Sequence, residues 1–187
     1  KVLGAILGAT GRNSEALDVN QTAITLSPQD AEAHSNLGNT LKELGEFDKA
    51  IASYNQAIAL KPDFADAYNN IGNAFQGQDK IDAAIAAYRK AISLKPNYSE
   101  AHYNLGILLQ ELGKLEDAEA IFYQAIALKP ENIRAHNQLL MCLFLQDKKS
   151  AFFDELDYLI NQDKVNAVIG SLTCRAALKY GIEKLNL

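Results

Sequence analysis

Three consecutive stretches of this chain, 31–64, 65–98 and 99–132, can be written over one another without a gap, a period of 34 residues. Asn36-Leu37-Gly38 returns as Asn70-Ile71-Gly72 and again as Asn104-Leu105-Gly106. Ala57-Ile58-Ala59-Leu60-Lys61-Pro62 returns as Ala91-Ile92-Ser93-Leu94-Lys95-Pro96 and as Ala125-Ile126-Ala127-Leu128-Lys129-Pro130. A repeat this long constrains the fold strongly. Each copy is one supersecondary unit that cannot bury its apolar face alone, so it must stack on its neighbours.

Within a copy, apolar and small residues fall three or four apart, which predicts two short helices. Leu37, Leu41 and Leu44 mark the first; Ala50, Tyr54, Ala57 and Ile58 mark the second. Between them stands Gly45, matched by Gly11 and Gly113, where a left-handed helix end suits glycine. Asp79 holds that slot in the second copy, and aspartate tolerates the conformation. Asp48 and Asp82 are predicted to meet free N–H groups at the start of the second helices. Lys-Pro ends each copy, because proline lacks an N–H and disfavours helix in the residue before it. Gly38, Gly72 and Gly106 pair with Ala50, Ala84 and Ala118 as small residues, predicting close approach of the two helix backbones. Leu41, Tyr54, Phe75, Tyr88, Leu109 and Phe122 are predicted to fill the layers between copies.

This pattern resembles the tetratricopeptide repeat, carried in the first full copy by His34, Leu37, Gly38, Leu41, Ala50, Tyr54, Ala57 and Pro62. The resemblance implies an all-α fold, a right-handed superhelical solenoid of antiparallel helix pairs with first helices lining a concave face. The array is expected over 1–147, with a partial unit at 1–30, full units 31–64, 65–98 and 99–132, and a degenerate unit from 133. Leu3, Gly4, Leu7, Gly11, Ala16, Ala23 and Pro28 keep the register in the partial unit. In the degenerate one, His136, Leu139 and Leu143 keep it, while Leu140 replaces the glycine and Phe152 the alanine. Both small contact residues become large together, which predicts wider helix separation. Residues 148–187 read as a divergent helical cap or a linker. Ser150 is the expected cap of a helix reaching about Asn161, with Phe152, Leu156 and Leu159 inward. Val165–Tyr180 reads as one more amphipathic helix carrying Val168, Leu172, Ala176 and Tyr180, and terminal units of such arrays need a capping helix.

Composition narrows the function. Net charge is -5 and the sequence pI about 5.2, with no basic run, which argues against a nucleic-acid face. No apolar stretch approaches the ~18 residues of a membrane span. Cys142 and Cys174 form neither a CxxC pair nor a zinc pattern, and free thiols suit a reducing, cytoplasmic compartment. His34, His102 and His136 occupy one repeat position; the helix spacing of ~8–10 Å between units is too wide for two imidazoles to share a metal. No nucleophile–base set and no phosphate loop is visible, so no catalytic residue, metal or cofactor is expected.

The informative residues are amides. Asn36, Asn70 and Asn104 share one position of the first helix, with Gln138 next in line. Asn69 and Asn137 lie one residue earlier in their copies, and Asn39 and Asn73 three residues later than the shared position. Asparagine inside a helix costs roughly 0.5–0.7 kcal/mol against alanine, so its recurrence needs a compensating interaction. A carboxamide offers one acceptor and one donor group, matching a peptide group. Rungs ~10 Å apart meet an extended strand about every third residue. The ladder is similar to that in the repeats of O-linked N-acetylglucosamine transferases, which holds protein substrates by their backbones; the resemblance covers the repeats and no glycosyltransferase domain. The other reading is that the amides bond neighbouring helices and organise the stack. Chaperone-binding members of the family grip a terminal carboxylate with a lysine and an asparagine in one unit, an asparagine in the next, and a lysine and an arginine in a third. Here Glu100 and Asn104 stand in the third-unit slots, and Ala5 takes the asparagine slot after Lys1. Glu32, Asp66, Glu100 and Glu111 make an acidic rim that favours neutral or basic peptides.

The sequence thus reads as a non-enzymatic protein-interaction scaffold with a protein or peptide partner, and no nucleic-acid or membrane partner. Two alternatives stand beside it: the targeting arm of a larger enzyme whose catalytic domain lies C-terminal to this fragment, and a structural solenoid that forms homo-oligomers through its ends.

Overall fold

A computed structural model describes residues 2–162 and 167–180. All regular structure among the described residues is helical: α1 (Val2–Ala9), α2 (Asn13–Leu26), α3 (Ala31–Glu43), α4 (Phe47–Leu60), α5 (Ala65–Gly77), α6 (Ile81–Leu94), α7 (Ser99–Glu111), α8 (Leu115–Leu128), α9 (Ile133–Leu145), α10 (Lys149–Asn161) and α11 (Ala167–Tyr180). The chain divides into two compact units, Lys1–Ala101 and His102–Leu187.

The first unit is built from α1–α6 packed as consecutive pairs, with α2 against α3 and α4 against α5 joining the pairs. Its core runs through Leu41, Ala50, Tyr54, Ile71, Ala74 and Ala87, with Leu17, Leu37 and Phe75 packed on it. Residues of adjacent repeats therefore share one apolar layer, as the pattern predicts. The helices reverse at Gly11 (φ 76°), Gly45 (φ 75°) and Asp79 (φ 59°), all left-handed. Asp30 caps α3 through its carboxylate, which accepts from Glu32 N at 3.0 Å and Ala33 N at 3.3 Å.

One local expectation is corrected here. The cap position of α4 is Glu46 and that of α6 is Lys80, neither with a side-chain cap bond. Asp48 lies within the first turn, where the helix dipole favours it, and accepts instead from Gln78 Nε2 at 2.7 Å. The glycines also make room for a side chain. A Cβ on Gly38 would stand 2.5 Å from Cε1 of the Tyr54 ring, and one on Gly72 2.4 Å from that of Tyr88. The space left by glycine is filled by a flat ring from the second helix of the same repeat.

The second unit keeps these devices and then departs from them. Gly106 receives the Phe122 ring, 2.6 Å from where its Cβ would be. Gly113 (φ 72°) and Asp147 (φ 59°) continue the left-handed reversals at the same repeat spacing, so the turn survives in the degenerate copy. There Leu140 takes the glycine position and Leu156 the aromatic one, both buried: when the small residue grew, the ring shrank. Phe152 is fully buried at the former alanine, and α9 and α10 approach less closely than α3 and α4, as expected from two enlarged contacts. The cap of α10 is Lys148, without a side-chain bond. Ser150 sits one position inside the helix, because the turn at Asp147 starts it earlier than the serine suggested. Phe152, Leu156 and Leu159 point inward as predicted. Helix α11 packs on α9 and buries Ile169, Leu172 and Ala176, and Lys179 Nζ reaches Phe144 O at 3.0 Å. Val165 and the side chain of Val168 lie outside the described residues.

Candidate functional site

First helices supply the floor of a groove of about 510 Å³ in the first unit. Asn36, Asn39, Thr40, Lys42 and Glu43 come from α3, Asn70 and Asn73 from α5, and Glu100 from the start of α7. Gly4, Ala5, Gly8 and Ala9 of α1 form its wall, so the side nearest the N-terminus carries almost no side-chain bulk.

The asparagines are not independent rungs. Asn39 Oδ1 accepts from Tyr54 OH at 2.8 Å and from Asn70 Nδ2 at 2.9 Å. The second bond links adjacent repeats; it engages the Asn39 oxygen and the Asn70 NH2, so what these two groove-lining residues have left to offer is the Asn39 NH2 as donor and the Asn70 carbonyl as acceptor. Tyr88 OH donates to Asn73 Oδ1 at 2.7 Å in the same manner. Burial, with the Glu43 carboxylate adding to it, pushes the Tyr54 phenol well above its ordinary pKa, which keeps it protonated and donating.

Of the residues singled out from sequence, the groove gathers Asn36, Asn39, Asn70 and Asn73. Asn69 leaves the set, being fully buried. Its side chain lies within hydrogen-bond reach of the Tyr98 hydroxyl, which Asp66 also engages. Position 69 faces the packed side of α5, where a peptide has no access. Asn104, Asn137 and Gln138 belong to the second unit, all half-buried.

Charge on the groove is lopsided. Lys42 Nζ is paired with Glu43 at 3.0 Å, which leaves the exposed Glu100 carboxylate at the groove edge. His34 and His136 each tie a first helix to the loop before it. His34 Nε2 donates to Pro28 O and His136 Nε2 to Pro130 O, each at 2.9 Å and each reaching back six residues. His136 also meets Glu155 through Nδ1 and stacks on Tyr158 at 5.6 Å between centroids. Among the described residues no cluster of His, Cys, Asp and Glu could hold a metal, and no helix is long and apolar enough to cross a membrane.

The phenols of Tyr54 and Tyr88 escaped the sequence reading, which had assigned them to packing alone. A signal was present: Asn39 goes with Tyr54 and Asn73 with Tyr88, while the third copy has Ile107 with Phe122. Amide and hydroxyl come and go together.

Tandem helical hairpins around a polar groove define a class of repeat proteins that generally serve as non-catalytic scaffolds for protein contacts. Residues 4–45, 38–79 and 77–113 match the family described as TPR repeat, and 99–132 the one described as Tetratricopeptide repeat. The chain belongs to the tetratricopeptide-repeat family. A search of curated protein sequences gave no match. Among solved structures it is similar to PilF of Pseudomonas aeruginosa, at 21% identity and a TM-score of 0.84 over 97% of this chain and 83% of that one. It is also similar to MamA, at 25% identity and a TM-score of 0.69 over 95% and 97% of the two chains. A third likeness is the first TPR of Spaghetti (RPAP3), solved bound to the HSP90 peptide SRMEEVD, at 25% identity and a TM-score of 0.61 over 64% and 94%.

Proposed function

We propose that this protein is a non-enzymatic scaffold whose first unit binds an extended peptide by its main chain. The observation that carries the reading is the bond between two groove-lining residues, Asn39 and Asn70, which commits one oxygen and one NH2 and leaves the pair a donor and an acceptor to offer. One peptide group has the complementary pair. Each such bond contributes a net ~0.5–1.5 kcal/mol, so affinity is modest and weakly dependent on side chains.

The peptide-bound Spaghetti repeat supports a peptide as the class of ligand but not the ligand's charge. SRMEEVD carries three acidic residues, whereas the groove here has Glu43 and Glu100 against Lys42 alone. Neutral or basic peptides fit better. Cytoplasmic location belongs to the same proposal and is supported by two cysteines without disulfide or zinc spacing.

The test is a binding screen of the purified chain against an unbiased peptide library, repeated with Asn36→Ala and Asn70→Ala combined. Hits lost in the variant support the groove. Equal hits with both proteins move binding elsewhere. A second reading, self-association, rests on the exposed Val2, Leu3, Ile6 and Leu26; light scattering that gives the mass of one chain across a concentration series removes it.

A further inference from the structure

A carboxamide can present its donor or its acceptor, and which one depends on what holds it. In the first unit the holder is a phenol from the core. Tyr54 is fully buried, with its ring against Gly38 and its hydroxyl on Asn39 Oδ1. Because Asn70 Nδ2 donates to that same oxygen, turning the Asn39 amide over would set two NH2 groups face to face. Tyr88, equally buried, rests on Gly72 and repeats the bond to Asn73 at 2.7 Å, the shorter of its two contacts, with Gln76 Oε1 a second acceptor at 3.1 Å.

The chain contains its own control. In the third copy the residue matching Asn39 is Ile107 and the ring is Phe122, buried as completely as Tyr54. The core accepts either ring. The hydroxyl therefore serves the amide and not the packing.

We propose that Tyr54 and Tyr88 are positioning residues that hold the carbonyls of Asn39 and Asn73 toward the core and their NH2 groups toward the groove. This inference rests on the peptide reading only for its ligand: an extended main chain whose carbonyl oxygens face α3 and α5, with an N–H directed to Asn70 Oδ1.

The experiment is Tyr54→Phe, read at the Asn39 side-chain amide by 15N relaxation, with Asn36 as internal reference. Helicity and Tm are expected to stay within a few degrees of the parent. The Asn39 order parameter is expected to fall from the rigid range of ~0.85 to below ~0.6, while Asn36 does not change. Tyr88→Phe read at Asn73 repeats the test independently. An Asn39 amide equally fixed in Tyr54→Phe overturns the inference. Unfolding of both variants also overturns it, because the hydroxyls would then serve the fold. A glycine–serine decapeptide titrated to millimolar concentration serves as main-chain probe, and its affinity should weaken roughly two- to ten-fold in Tyr54→Phe. If the parent ignores this probe while Asn39 loosens as expected, the peptide reading fails and the positioning role stands.

Discussion

Replacing Gly72 by alanine asks whether the ring-on-glycine contact holds each repeat together. The new Cβ would lie 2.4, 2.6 and 2.9 Å from Cε1, Cδ1 and Cζ of Tyr88, where carbon atoms normally rest ~3.5–4.0 Å apart. The ring must retreat by about 1 Å, yet it is fully buried and tethered to Asn73 at 2.7 Å. Overpacking of this kind costs ~1–3 kcal/mol, and a lost phenol bond adds ~0.5–1.5 kcal/mol. Better helix propensity returns up to ~1 kcal/mol, leaving a net loss of about 1–3 kcal/mol. For a chain of this size that lowers Tm by roughly 3–9 °C. Gly8→Ala is the control: nothing lies within 4 Å of its Cβ, so only the propensity gain of up to ~1 kcal/mol remains. Thermal melts followed by circular dichroism compare the two. Gly72→Ala combined with Tyr88→Leu should recover part of the loss, since the degenerate copy likewise sets leucine, Leu156, opposite a side chain at the glycine position, Leu140. Gly72→Ala melting at or above the parent temperature would refute the contact as the source of packing.

Three further outcomes are expected. Asp79→Gly should stabilise by about 0.5–1 kcal/mol in chemical denaturation, since it relieves a left-handed backbone without removing a cap. Iodoacetamide at pH 8 should modify Cys174, which is exposed, and spare Cys142, whose pKa burial and then Glu119 push up to about 12; both should react in denaturant, as mass spectrometry would count. The Asp147 carboxyl is held below its ordinary pKa chiefly by the hydrogen bond from Lys179, then by that of Tyr180. A lowered folded pKa means this contribution is complete above the unfolded carboxylate range of ~3.9 and is lost as pH falls through the folded value. Amide exchange in α11 should therefore quicken below that range, and Asp147→Asn should show the faster exchange already at neutral pH.

Most of the fold was legible because the repeat states it several times. A 34-residue period with glycine at 11, 45 and 113 locates the reversals inside the repeats, and Asp79 and Asp147 fall into line by spacing alone. The helix starts were less legible. Asp48 and Ser150 are good cap residues, but the left-handed turn ahead of each helix decides where it begins, and both end up inside the first turn. The candidate site was legible as a set of positions and not as a set of bonds. Periodicity placed Asn36, Asn39, Asn70 and Asn73 on one face. Asn69 was misplaced because neighbouring residues on a helix differ by 100° in direction, enough to turn one amide into the core. That a core phenol would orient a groove amide depends on the depth of a ring across a helix pair, which no spacing along one helix encodes.

Main-chain recognition by the groove is tested by calorimetric titration of a library-selected decapeptide and its backbone and side-chain variants. N-methylation of the peptide nitrogen that meets Asn70 should weaken binding about ten-fold, while alanine at any single peptide side chain should cost less than about three-fold. The opposite pattern, with methylation tolerated and one side chain dominating affinity, would contradict the account and make the groove a side-chain pocket.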